Sequence, residues 1–141
     1  MGENLPLIYI FYLWLLLMQP LQIKPTHASL AVLLDAQAGR LSFSGRSVSE
    51  HSVEFFAPII DWLEKYAVAP AERTECVFKF EYFNSAARKS LIEIFKIIQS
   101  MHRKGKTLSI EWYYDEGDES MKELGEEYAN LFNLKFEFIQ D

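Results

Sequence analysis

The stretch from Cys76 to Tyr114 constrains the fold of this chain most. In Cys76–Phe83 (CVFKFEYF), Phe78, Phe80 and Tyr82 alternate with Lys79 and Glu81 at the two-residue period of a half-buried strand. Leu91, Ile94, Phe95, Ile98, Met101 and His102 then recur at helical spacing. Gly105 stops that helix behind the basic pair Arg103-Lys104. Thr107–Tyr114 alternates again, with Leu108, Ile110, Trp112 and Tyr114 expected to face inward. Two strands joined by such a helix pair in parallel through a right-handed crossover, a geometry closed to all-α and all-β folds.

The flanking segments extend this unit on both sides. Leu21 and Ile23 form a short strand closed by Pro25. Ser29–Asp35 and the alternating Leu41 and Phe43 read as a hairpin across Asp35-Ala-Gln-Ala-Gly39, with Gly45 ending the second strand. Ser52–Tyr66 is helical: Val53, Phe56, Ile60 and Leu63 share a face, with Phe55, Ile59 and Trp62 beside them. Pro58 lies inside this helix and is expected to kink it, and Val68–Arg73 reads as a loop. A further helix carries Met121, Leu124, Tyr128, Leu131 and Phe132 and is entered through Asp118 or Ser120. Leu134, Phe136 and Phe138 make a last strand. The order β-β-β-α-β-α-β-α-β predicts a single α/β (α+β) domain over residues 18–141. One mixed sheet would carry its helices mainly on one face.

Composition narrows the function. The chain has 141 residues, a formal net charge of -6 and a single cysteine, Cys76. Disulfide frameworks and zinc ribbons are excluded. An acidic balance argues against nucleic-acid binding, which needs clustered Lys and Arg. His27, His51 and His102 are scattered, so no metal and no other cofactor is expected. Residues 1–17 stand apart: 13 of them are apolar, and Leu5–Met18 carries no charge. This run is short for a membrane span and lacks the basic flank of a signal peptide. Three readings stay open: an extension upstream of a working start at Met18, a membrane anchor, or a signal peptide. A cytoplasmic domain is expected, membrane-associated only through residues 5–18 if residues 1–17 are expressed.

No nucleophile elbow, P-loop or dinucleotide fingerprint occurs. Cys76 reads as a small core hydrophobe and His102 as a structural histidine on the inner or boundary face of its helix. A small enzyme built on Cys76, His102 or the acidic helix is therefore the weakest alternative. Residues 115–127 hold seven acids against Lys122. They suit a solvated, well-capped helix, and Asp115, Glu116, Asp118 and Glu119 are candidates for docking a basic partner. The junction Tyr82-Phe83-Asn84-Ser85-Ala86-Ala87-Arg88-Lys89 places a hydroxyl where a strand hands over to a long helix. Asn84 or Ser85 can cap that helix. The same geometry suits a phosphate, with free amides of residues 86–88 and with Arg88 and Lys89 in reach.

Several motifs in order carry a resemblance. Leu41-Ser-Phe-Ser-Gly-Arg-Ser47, Glu54-Phe-Phe-Ala-Pro-Ile-Ile-Asp-Trp-Leu-Glu64, Phe80-Glu-Tyr-Phe-Asn-Ser85 and Trp112-Tyr-Tyr-Asp115 are similar to the SiaC family of bacterial regulatory phosphoproteins. The likeness runs from about Gln19 to Ile139. It implies a STAS-like fold, similar to anti-sigma-factor antagonists, and a partner-switching role without catalysis. It further implies phosphorylation by a Ser/Thr protein kinase, reversal by a PP2C-type phosphatase, and activation of a diguanylate cyclase by the unmodified form. Cyclic di-GMP and biofilm formation are the implied outputs; the alternative role is that of a membrane-tethered adaptor or an anti-sigma-factor-antagonist-like protein. The family acceptor, typically a threonine after Asn, corresponds to Ser85 after Asn84. Ala86 and Ala87 stand where the family has further hydroxyl residues.

Overall fold

The computed structural model describes residues 6–141. The N-terminal extension expected over 1–17 therefore lies partly outside the described residues. Its described part holds helix α1, Leu7–Leu17. The domain follows as β1 (Leu21–Ile23), β2 (Ala31–Asp35), β3 (Arg40–Ser47), α2 (Ser52–Val68), β4 (Arg73–Phe83), α3 (Ser85–Arg103), β5 (Thr107–Tyr114), α4 (Glu119–Phe132) and β6 (Phe136–Gln140).

The six strands lie in chain order, β1 to β6. β1, β2 and β3 pair antiparallel, and β3 through β6 pair parallel. Each parallel step moves one place in the same direction. Right-handed crossovers that all step one way lie on the same side of the sheet, so α2, α3 and α4 share one layer. Burial follows that layout. Val32, Leu34, Leu41, Phe43, Cys76, Phe78, Phe80, Ile110, Trp112 and Phe136 point under the helices and are buried. The opposite sheet face carries Ser42, Lys79, Glu111 and Glu137, and is closed by no helix of the domain.

Aromatic side chains dominate the core. Phe95 of α3 lies 4.9 Å from Phe78, 5.2 Å from Tyr128 and 5.5 Å from Phe136, centroid to centroid. Each such ring is worth roughly 1.5–3 kcal/mol on burial, so this cluster binds α3, α4 and the parallel strands together. The buried Tyr66 hydroxyl is satisfied by Thr74 Oγ1 at 2.8 Å and by the Ala71 amide, which donates to it at 3.2 Å.

Five expectations need correction. Gly45 does not end β3, which runs to Ser47. Between Gly45 and Arg46 the pairing with β4 shifts, Gly45 facing Phe80 and Arg46 facing Tyr82. One extra β4 residue, Glu81, enters there as a bulge and inverts the alternation. Phe83, not Tyr82, is consequently buried, and Tyr82 is half exposed. On α2 the buried stripe is Phe56, Ile59, Trp62, Leu63, Tyr66 and Ala67, and Val53 in the first turn is exposed. Leu131 is exposed, because Met121, Gly125, Tyr128 and Phe132 form the inner row of α4. His102 is exposed near the end of α3 and does not lie on its inner or boundary face.

Candidate functional site

The parallel strands β3, β4 and β5 all end at one edge of the sheet, where three strand-to-helix junctions converge. Open α/β sheets place their sites along this carboxyl edge. At the central junction Asn84 is the N-cap of α3. Its Oδ1 accepts from the Ala87 amide at 3.0 Å, and its Nδ2 donates to the Ser49 carbonyl at 3.2 Å. Its own amide donates to Ser47 O at 2.9 Å. One side chain thus fastens the β3–α2 loop to the start of α3.

With Asn84 as cap, Ser85 is the first helical residue, exposed and not engaged in the cap. The open choice between Asn84 and Ser85 resolves in favour of Asn84, which frees the hydroxyl. The amides available to an anion differ from expectation. The Ala87 amide is held by Asn84 Oδ1, and the Arg88 amide donates to Asn84 O at 3.1 Å. Among the four amides that a helix start leaves without intrahelical partners, those of Ser85 and Ala86 are the uncommitted pair.

Arg88 and Lys89 are both exposed one turn into α3. The Arg88 guanidinium lies 5.8 Å from the Phe83 ring centroid. It borders a cavity of about 140 Å³ between the β4–α3 junction and α4, lined also by Glu81, Tyr82, Asp118 and Leu124. The structure therefore brings Arg88 and Asp118 to the same depression. Asp118 is committed locally: its Oδ1 accepts from the Met121 amide at 3.1 Å and from Ser120 Oγ at 3.0 Å, capping α4.

The acidic candidates do not form one patch. Glu116 and Glu119 are exposed beside Asp118. Asp115 instead lines a cleft of about 450 Å³ on the uncovered sheet face, with Lys79, Tyr113 and Asp141. Lys79 pairs there with Asp141 at 2.8 Å, which holds its ammonium pKa above the ordinary lysine value. Tyr82 and Val53, which sequence periodicity places inward, are exposed at this end. A bulge leaves no mark in a period-two pattern, although Gly45, with φ of 100°, is the residue type such an irregularity favours.

Cys76 and His102 are kept in different surroundings. Cys76 is fully buried under the helix layer, and burial pushes its thiol up to about 12, so no thiolate forms near neutral pH. His102 stands in solvent at the far end of α3. The weakest alternative loses its nucleophile.

Comparison with known proteins agrees with this architecture. The model of the family described as SiaC family regulatory phosphoprotein matches residues 23–141. An uncharacterized protein of Pseudomonas aeruginosa strain UCBPP-PA14 is 34% identical over 119 residues, covering 84% of this chain and 94% of its own length. The crystal structure of apo-SiaC from P. aeruginosa is similar with a TM-score of 0.75 at 31% identity, over 88% of this chain and 99% of that one. A chain in the crystal structure of diguanylate cyclase SiaD in complex with its activator SiaC, also from P. aeruginosa, gives a TM-score of 0.79. It is 32% identical, over 86% of this chain and 99% of that one. Family match, relative and fold together place this chain in the SiaC family of regulatory phosphoproteins.

Proposed function

We propose that this regulator works without catalysis of its own, binding and activating a diguanylate cyclase while Ser85 is unmodified. A Ser/Thr protein kinase transfers a phosphoryl group to the Ser85 hydroxyl and the complex separates. A PP2C-type phosphatase hydrolyses the ester and restores binding. The observation that carries this reading is the position of Ser85: exposed, first in α3, and spared the capping role by Asn84. The SiaC described as the activator of SiaD has a similar fold, which supports the choice of a cyclase as partner.

The switch is electrostatic. A phosphate adds about -1.5 to -2 charges at the helix start. The Ser85 and Ala86 amides and the positive end of α3 stabilise it in place, with Arg88 one turn along. No refolding is required, since the first turn is already capped. Tyr82 and Val53 are exposed at the same end. A partner packed over such apolar groups would have to strip water from the dianion, at a cost of several kcal/mol.

Incubation of the chain with a cognate kinase and labelled ATP should incorporate one phosphate, and Ser85→Ala should incorporate none. The unmodified chain should raise cyclic di-GMP synthesis by its cyclase, and the phosphorylated chain should not. Label retained in full by Ser85→Ala would overturn the assignment.

A further inference from the structure

Among the described residues, helix α1, LIYIFYLWLLL, carries most of the exposed large apolar side chains, and this switch leaves them unused. It carries no charged residue, and none of its residues is buried. Four successive residues, one full turn, stay open to solvent: Tyr9 58%, Ile10 46%, Phe11 49% and Tyr12 61% exposed. A helix made for a groove carries one apolar stripe and a polar back. This one is apolar on every side.

Its far end is fixed to the domain. Trp14 Nε1 donates to Lys65 O at 3.2 Å, Gln37 Nε2 donates to Leu16 O at 3.3 Å, and Leu15 and Met18 pack on the core. Lys65 lies in the last turn of α2, and Gln37 lies in the turn between β2 and β3. Both β3 and β4 start at this end and run toward the Ser85 junction. The attachment of α1 and Ser85 therefore occupy opposite poles of the sheet.

Shape decides what can cover such a helix. Eleven residues span about 16 Å. One neighbouring helix from a second copy meets a single side of that short cylinder and leaves the rest in water. Lipid chains wet every side. The helix is about half as long as the ~30 Å hydrocarbon core, and among the described residues no helix is long and apolar enough to cross a membrane. Tyr9, Tyr12 and Trp14 are the residue types that settle at the headgroup boundary. With no Lys or Arg in α1 and a net charge of -6, acidic headgroups add nothing to the attraction.

We infer that α1 embeds in a single leaflet of an uncharged lipid surface and holds the domain there with its Ser85 pole turned away from the membrane. The inference does not rest on phosphorylation, because the two poles act separately.

The test uses the full chain and the double variant Ile10→Glu with Leu13→Glu, whose positions are exposed and leave the core intact. The parent chain should float with phosphatidylcholine vesicles, equally well with or without phosphatidylserine. The double variant should lose at least tenfold of that binding while keeping its melting temperature. Phosphorylation of Ser85 should leave flotation unchanged. A parent chain that stays at the bottom of the gradient overturns the inference. So does flotation that requires phosphatidylserine, or a lipid-free dimer that the double variant dissociates, since a second copy would then cover α1.

Discussion

Asn84 joins three backbone segments through one short side chain: it receives the Ala87 amide, donates to Ser49 O, and sits on Ser47 O through its own amide. Replacing it by alanine removes the cap and leaves the Ser49 carbonyl without that donor. Asn84→Ala should lower stability by about 1 kcal/mol in urea titration, and Asn84→Asp by less, because the capping oxygen remains. Equal losses in both would show that the bond to Ser49, not the cap, dominates. Sequence alone brought the choice down to Asn84 or Ser85 and went no further. Both side chains can accept from a first-turn amide, and what separates them is the reach of the Asn84 amide group to a loop thirty-five residues away. The exposed hydroxyl of Ser85 follows from that long-range bond.

At the scale of elements, α4 packs on β5 with Gly125 directly against the Trp112 indole. A Cβ at position 125 would stand 2.6 Å from Trp112 Cδ1 and Nε1. The indole cannot simply swing aside, since its Nε1 donates to Met121 O at 3.0 Å and the ring is fully buried. Gly125→Ala should therefore overpack this contact and cost about 1–3 kcal/mol, read as a lowered melting temperature together with altered tryptophan fluorescence. An unchanged melting temperature would mean that α4 shifts outward freely. The helices and strands themselves were legible from periodicity, with the order β-β-β-α-β-α-β-α-β reproduced after α1. Which side of each element faces inward was less so. The bulge at Glu81 exchanged Tyr82 for Phe83, and on α2 and α4 a rotation of the stripe turned Val53 and Leu131 outward. Those residues are as apolar as their buried neighbours, so composition cannot rank them.

For the whole molecule, the helix layer seals titratable groups beneath it. Burial raises the Cys76 thiol from its ordinary value of 9.0 to about 12, and burial likewise raises the Tyr66 and Tyr128 hydroxyls. Each group keeps its proton longer folded than unfolded. Stability is then full below about pH 9, and falls as pH rises toward 12, by ~1.4 kcal/mol per pH unit for each group released on unfolding. Denaturant titrations between pH 8 and 12 should show this decline, and Cys76→Ala should reduce its slope by about one proton. A slope identical in the variant would mean that the thiol is not sealed in the folded state.

Local sequence determined the element types, the parallel crossover and the hydroxyl at the strand-to-helix junction, because periodicity, capping residues and breakers act over a few residues. The order of the motifs along the chain carries the likeness to the SiaC family by itself. Only the tertiary structure decided that Asn84 takes the cap and leaves Ser85 open, that Asp115 and Asp118 serve different depressions, and that Tyr82 and Val53 emerge beside the junction. It also fixed α1 at the pole opposite Ser85. The reason is physical: those outcomes depend on register shifts and hydrogen bonds between segments far apart in the chain, which no window of neighbouring residues contains.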